Sequence, residues 1–357
     1  MIGKRGVSMV KNYKCPGCGA SMVYDEGTNC MVCEYCGTKV PVEQAKEESE
    51  ASKRQSSETQ NIQRQQMEGV KAYHCPNCGA EIVTDAHTAA TFCSFCGSPS
   101  MMEDRLSGYY EPKYVIPFQI DKEHAVELFR QWTKKGIFTP RSFSSQIQLD
   151  KITGMYVPYW LYDYQVRTKM SAEGKNIRTE IHGDTEYIYT DHYDIYRDVE
   201  IDYNQIPVNA SSKMSKDKME RLEPFDYKGM KQFQMPYLSG FQAEKYNQTE
   251  KELEPEAEVR AKQFAYEETR ATIHGYDEVG SVHSSSDAQK ERAEYAMLPV
   301  WILNYQYKNK DCMITLNGQT GRLIGKLPIS TVKVAAIFIC LTATIFLLIL
   351  LLGGIIG

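Results

Sequence analysis

Apolar and polar positions alternate from Tyr156 to Met170 and again from Tyr187 to Tyr203, the period of strands with one half-buried face. Tyrosine dominates both runs and suits such pleated surfaces. Two other segments carry the helical period. Asp121 stands at an N-cap position before Ala125, Leu128, Phe129 and Trp132, which share one face, and Gly136 can end that helix. A second helix is expected over 254–273, with Pro255 in its first turn and Ala257, Ala261, Phe264 and Ala271 in one stripe. Asn317-Gly318 is a turn signal between strands at Cys312 to Leu316 and Arg322 to Gly325. Residues 105–329 therefore read as a Tyr-rich α+β domain.

Inside that domain a segment repeats. Val157-Pro-Tyr-Trp-Leu-Tyr-Asp-Tyr-Gln165 matches Leu298-Pro-Val-Trp-Ile-Leu-Asn-Tyr-Gln306, and the shared core is Pro-x-Trp-[Leu/Ile]-x-[Asp/Asn]-Tyr-Gln. Such a pair predicts two related strand entries in a duplicated unit of pseudo-twofold form. Trp160 and Trp301 can pack in the core or line a paired aromatic groove, and burial is the commoner fate of such side chains at strand spacing.

One segment departs from both periods. From Val334 to Gly357 no residue is charged, and a helix of that length reaches about 36 Å, more than the roughly 30 Å hydrocarbon core of a bilayer. A C-terminal transmembrane helix is expected over 332–356. Lys308, Lys310, Arg322, Lys326 and Lys333 precede it against Asp311 alone, a bias that keeps the bulk of the chain cytoplasmic. The start, Met-Ile-Gly-Lys-Arg-Gly, lacks the apolar stretch of a signal peptide. The pattern predicts a tail-anchored, single-pass protein of the cell membrane, with the lipid bilayer as one partner.

Composition narrows the field further. The 357 residues carry a formal charge of -5 and a mean hydropathy of -0.46, which argue against a polytopic membrane protein and against strong attraction to polynucleotides. The length suggests two or three domains.

The 11 cysteines carry the candidate chemistry. Cys15, Cys18, Cys33 and Cys36 recur 60 residues later as Cys75, Cys78, Cys93 and Cys96, and Cys-Pro-Gly-Cys-Gly-Ala recurs as Cys-Pro-Asn-Cys-Gly-Ala. Each copy has the form Cys-x2-Cys-x14-Cys-x2-Cys. Two sulfurs three positions apart on a tight turn can meet one zinc, and two such turns complete a tetrahedron. Gly19, Gly37, Gly79 and Gly97 follow the second cysteine of each pair, where the chain must turn past the metal. Disulfides and redox pairs are the competing readings. A cytoplasmic location disfavours the first, and two identical tetrads disfavour the second. Four thiolates close each site, so two structural Zn2+ ions are expected, in ribbons over 12–42 and 71–104. Cys30, whose counterpart is Ala90, reads as a bystander that could compete as a ligand, and Cys312 and Cys340 read as small apolar side chains.

Ribbons this small draw folding energy from metal and offer surfaces rather than reactions. Lys14 and Lys39 stand against Asp25, Glu26 and Glu34 in the first, and Lys71 against Glu81 and Asp85 in the second. That balance favours protein partners over nucleic acid. Between them, residues 43–70 form a charged linker expected to leave the ribbons independent. His74, His87, His124, His182, His192, His274 and His283 show no metal-ligand or triad spacing, and no catalytic residue is assigned.

Together, the tandem Cys-Pro-x-Cys-Gly ribbons, the Pro-x-Trp pair, Asn317-Gly-Gln-Thr-Gly321 and the terminal apolar run resemble bacterial TFIIB-type zinc-ribbon membrane proteins, the YdjG-like group. Members are often labelled primosomal N′ helicase-like. Here the nearest approach to a phosphate loop, Gly321-Arg-Leu-Ile-Gly-Lys-Leu327, has three residues between its glycines and no hydroxyl after the lysine. The resemblance instead implies envelope maintenance beside phage-shock-protein-A-like and SPFH-type membrane proteins. The resulting expectation is a membrane-anchored adaptor that recruits protein partners, with a membrane-tethered nucleic-acid binder as the alternative.

Overall fold

The tyrosine-rich alternation does form strands, and they are much longer than the runs that announce them. The computed structural model describes residues 10–45, 70–75, 77–79, 81–85, 87–93, 96, 98–102, 106, 111–140, 143, 152–307 and 310–356. Most of the linker expected over 43–70 lies outside these residues.

In the first ribbon, β1 (Val10–Lys11) precedes a three-stranded sheet of β2 (Val23–Asp25), β3 (Cys30–Val32) and β4 (Lys39–Pro41). The second ribbon has two hairpins, β5 (Val70–His74) with β6 (Glu81–Asp85) and β7 (Thr88–Phe92) with β8 (Pro99–Met102). The remainder starts with β9 (Tyr114–Val115), α1 (Lys122–Lys135), β10 (Thr153–His182) and β11 (Thr185–Asn209). It continues through α2 (Lys216–Leu222), β12 (Lys231–Gln232), β13 (Gln242–Glu244), α3 (Glu250–Ala271), β14 (Glu278–Tyr307), β15 (Lys310–Asn317), β16 (Leu323–Ile324) and α4 (Thr331–Ile356).

The expected partition into two separate ribbons, an α+β domain and a spanning helix does not hold. The described residues are mostly sheet, and β7 of the second ribbon pairs with β13 inside one eleven-stranded sheet. The first ribbon also joins the main core. Tyr13, Met22, Tyr24 and Met31 are buried in the same cluster as Phe118, Tyr156, Phe241 and Trp301. Burying large side chains in a shared core ties the ribbons to the scaffold, so they are not independently tethered.

The sequence repeat marks a local twofold. β10 and β14 run antiparallel, and Val157 lies opposite Leu298, so the two Pro-x-Trp segments start at one point and diverge. Equivalent contacts follow on both sides. Met155 of β10 pairs in parallel with Gln242 of β13, and Ala296 of β14 with Tyr114 of β9. Ala210 N–H donates to Pro158 O at 2.9 Å, and Gly318 N–H to Pro299 O at 2.9 Å. Asn247 and Gln248 N–H donate to Ala210 O, as Gln119 and Ile120 N–H donate to Gly318 O. Each indole completes the pattern: Trp160 Nε1 donates to Gln248 O at 3.1 Å, and Trp301 Nε1 to Ile120 O at 2.8 Å. Gln248 and Ile120 each stand just before the N-cap of a helix, α3 and α1 respectively. Each tryptophan therefore fixes the entry of the helix that belongs to the other half.

The Asn-Gly-Gln-Thr-Gly loop serves this frame. Buried Asn317 accepts from Gln319 N–H and Thr320 N–H and donates to Leu222 O and Pro224 O. Gln319 exchanges hydrogen bonds with the backbone of Asp226. A Cβ on Gly318 would lie 2.5 Å from the Phe118 ring, so only glycine fits there. Asn317-Gly318 reads in the sequence as a plain turn; the loop instead clamps the segment after α2.

The helices follow their caps. Asp121 accepts from His124 N–H at the start of α1, and Gly136 follows its end. α3 starts four residues before its expected beginning because Thr249 and Glu252 form a reciprocal capping box. Its buried stripe is Leu253, Ala257, Ala261, Ala265 and Thr269, whereas Phe264 is exposed. These small residues bring α3 close to the sheet, where Tyr162 and Tyr164 hydroxyls donate to Glu250 O and Glu254 O.

At the C-terminus the expectation of a membrane span is corrected. Among the described residues, no helix is long and apolar enough to cross a membrane. α4 begins at Thr331. Its first turn contains Lys333, whose Nζ donates to Thr139 O at 2.6 Å, and Ser330 N–H donates to Phe138 O. These contacts hold the start of α4 against the loop after α1. Phe338, Ile339 and Leu341 are exposed along it. The single-pass anchor over 332–356, the cell-membrane localisation and the lipid-bilayer partner are withdrawn accordingly.

The twofold frame gives a stability prediction. Trp301→Phe leaves the Ile120 carbonyl without its donor in a buried setting, and should destabilise the protein by about 1–3 kcal/mol. Trp160 is only partly buried, so water can replace its indole and Trp160→Phe should cost less. Urea unfolding of both variants measures the difference, and equal losses would refute the expected asymmetry.

Candidate metal centres

The knuckle turns are built by backbone bonds around each cysteine pair. In the first ribbon Cys15 N–H donates to Ala20 O, Gly19 N–H to Cys15 O, Cys33 N–H to Thr38 O and Gly37 N–H to Cys33 O. Gly79 N–H to Cys75 O and Cys93 N–H to Ser98 O repeat the arrangement in the second. Gly19, Gly37 and Gly79 have φ of 74°, 75° and 75°. Nothing lies within 4 Å of a Cβ built on any of the three, so glycine is required there by the left-handed backbone and not by crowding. Gly97 lies outside the described residues.

These turns bring the eight expected sulfurs into two clusters. Cys15, Cys18, Cys33 and Cys36 form one and Cys75, Cys78, Cys93 and Cys96 the other, with sulfurs within 4.8 Å of one another in each. Cys15 and Cys36 Sγ are 3.5 Å apart, as are Cys18 and Cys33; the corresponding pairs of the second cluster are 3.7 Å apart. A tetrahedron with metal–sulfur bonds of about 2.3 Å has edges of about 3.8 Å, so both donor sets fit one tetrahedral ion each. The first and third cysteine of each cluster are buried and the second and fourth exposed. Cys30 lies in β3, outside the cluster, and Cys340 is exposed on α4. The side chain of Cys312 lies outside the described residues.

A hydroxyl that cysteine spacing does not reveal completes each site. Thr38 Oγ1 lies 3.0 Å from Cys36 Sγ, and Ser98 Oγ lies 3.0 Å from Cys96 Sγ and 3.3 Å from Cys75 Sγ. The two occupy the same position of the 60-residue repeat, so a hydroxyl two residues after the last cysteine was the available signal. The Thr38 hydroxyl pulls the Cys36 thiol down to about 6, and the Ser98 hydroxyl pulls Cys96 down to about 5. At Cys15 and Cys75 burial opposes ionisation, yet neighbouring backbone N–H groups and the same hydroxyls leave both lowered. Cys18 receives help from Ala20 N–H, but donating to the Cys36 thiolate pushes it up to about 12. The thiolates are thus partly preformed, and a bound cation would deprotonate the rest. Among the described residues no other group of three or more His, Cys, Asp or Glu side chains is arranged to hold a metal.

The clusters are seated firmly on the scaffold. Tyr24 N–H donates to Ser239 O and Ser239 Oγ to Met22 O, while the Tyr24 ring meets Tyr237 edge-on at 5.2 Å. The half-buried Glu26 carboxylate accepts from Lys122 N–H at the first turn of α1; burial, with Asp25 and Asp121 nearby, raises its pKa. Lys14 Nζ donates to Asn77 Oδ1 at 2.6 Å, joining one ribbon to the other.

Metal retention should depend on the two hydroxyls. Because a lowered thiol pKa keeps the thiolate present to lower pH, Thr38→Val or Ser98→Ala should raise the pH at which metal is released on acidification. Metal affinity at neutral pH should fall by roughly 10–100-fold. Chelator competition followed from pH 8 to pH 4 reads both; unchanged release profiles would sink this role for the hydroxyls.

Comparison with known proteins agrees with the whole-chain pattern. No family model matches the chain, and no solved structure matches it. A Bacillus subtilis (strain 168) protein named "Uncharacterized protein YdjG" is 38% identical over 350 residues, covering 97% of this chain and 99% of the relative. With that identity carried across nearly the full length of both chains, and two four-cysteine clusters that fit tandem zinc ribbons, the chain belongs to the YdjG family.

Proposed function

We propose that the protein is a zinc-stabilised adaptor that presents protein-binding surfaces on a rigid β scaffold. The observation that carries this reading is the placement of two closed four-cysteine clusters within ribbons that share a core and a sheet with the rest of the chain. Zinc suits four thiolates at these separations, and four protein ligands leave no position for water or substrate. The ions hold a shape and catalyse nothing.

The surfaces support the same reading. Beyond Lys175, β10 pairs only with β11, and this two-stranded arm exposes Ile177, Ile181 and Ile188 together with Tyr187 and Tyr189. The register places the three isoleucines on one face of the arm and the two tyrosines on the other, and exposed apolar side chains of this kind can mark interaction sites. The nucleic-acid alternative fits less well, since Asp25, Glu26 and Glu34 outnumber Lys14 and Lys39 in the first ribbon.

Envelope maintenance beside phage-shock-protein-A-like and SPFH-type proteins is the partner proposal that follows from the resemblance. Affinity purification tests the adaptor with intact chain and with Cys75→Ser, Cys78→Ser. Specific proteins retained by the intact chain and lost from the variant are expected. An unchanged set would move recruitment to the arm, and a bait that retains nothing specific would end the adaptor reading.

A further inference from the structure

The ribbons and the scaffold flank a cleft of about 1190 Å3 beside the metal sites. It is larger than the roughly 300–1,000 Å3 of a typical small-molecule pocket. Its floor is apolar, formed by Ile152, Phe241 and Trp301. One aromatic side chain comes from each ribbon: Tyr35, 86% exposed, beside the first metal cluster and Phe92, 36% exposed, beside the second. Its charged lining is Asp25, Glu26 and Glu34 against Lys122, and Cys96 of the second cluster reaches it as well. A tetrathiolate zinc centre adds two further negative charges.

An apolar floor, exposed rings on both rims and a negative wall define a complementary ligand. We propose that this cleft binds an extended, lysine- or arginine-bearing segment of a partner protein. The cation would sit between Glu34 and the ring of Tyr35, where charge and π-face both attract it, while an adjoining apolar side chain covers Phe92. The proposal rests on the adaptor reading and names its surface and the chemistry of its partner. Acidic peptides and nucleic acid would meet the same wall as a repulsion.

The test uses the full chain loaded with zinc and fluorescence anisotropy of a labelled nonapeptide in which lysine alternates with leucine and tyrosine. A matched peptide carries glutamate in place of each lysine. The lysine peptide should bind at least tenfold more tightly than its glutamate twin, and the difference should shrink with salt. Glu34→Lys should weaken binding of the lysine peptide about tenfold by reversing one wall charge, and Tyr35→Ala by a similar factor. Both positions are exposed and neither is among the eight clustered cysteines, and zinc content with circular dichroism checks that each variant is folded.

Equal binding of the two peptides, no binding of the lysine peptide, or binding indifferent to both substitutions overturns the proposal. An intact chain that binds neither peptide yet still retains its co-purifying partners would fail the cleft and leave the adaptor standing. Peptide binding lost in both variants would support the cleft even if affinity purification retained nothing.

Discussion

Two indole N–H groups and the carbonyls they meet hold this structure in register. Trp301 reaches Ile120 O and Trp160 reaches Gln248 O, and each carbonyl immediately precedes a helix contributed by the opposite half. An unpaired buried carbonyl is costly, so the buried Trp301 contact fixes where α1 enters the sheet, and the partly buried Trp160 contact holds α3 less strongly. From that follow the parallel partners β9 and β13, the closure of Ala210 and Gly318 onto the two prolines, and the course of α3 along the sheet. The scaffold is best understood as one long antiparallel pair, β10 with β14, whose flanking elements are pinned at equivalent places on either side.

The metal clusters extend this frame. About 25 residues cannot bury an adequate core alone, and these ribbons do not try to. They place Tyr13, Met22, Tyr24 and Met31 into the scaffold's own core and lend β7 and β8 to its sheet. An ion bound by either cluster would therefore brace the scaffold as the scaffold braces the cluster, and the Thr38 and Ser98 hydroxyls favour the thiolates of Cys36 and Cys96. The cleft between the ribbons owes its shape to this mutual support.

Local signals were legible in the sequence, and long-range ones were not. The cysteine repeat identified every sulfur of the two clusters, because ligand spacing is short and rigid. Asp121 and Gly136 gave α1 because caps act within one turn. Thr249 and Glu252 also spelled a capping box, yet the apolar stripe and Pro255 drew attention four residues downstream. The Pro-x-Trp repeat hinted at a twofold without showing that each tryptophan serves the other half, since Ile120 and Gln248 lie 181 and 88 residues away in sequence. Ribbon independence was inferred from a charged linker, but burial of Tyr24 against Tyr237 and Phe241 decides the matter and leaves no local trace. The terminal apolar run was read from its length and lack of charge, whereas the start of α4 is held by Lys333 and Ser330, and among the described residues no helix is long and apolar enough for a span.

The crossed tryptophans bear on how such a chain came to exist. Were the two halves separate molecules, each would hold its partner's helix and lack a donor for its own, the arrangement of a domain-swapped homodimer. Fusing two such copies end to end would convert a concentration-dependent association into an intramolecular one and free the halves to diverge. In the present chain β11 runs for 25 residues and carries the arm, whereas its counterpart β15 runs for eight. The asymmetry of the present molecule is then what a single chain permits and a symmetric dimer forbids.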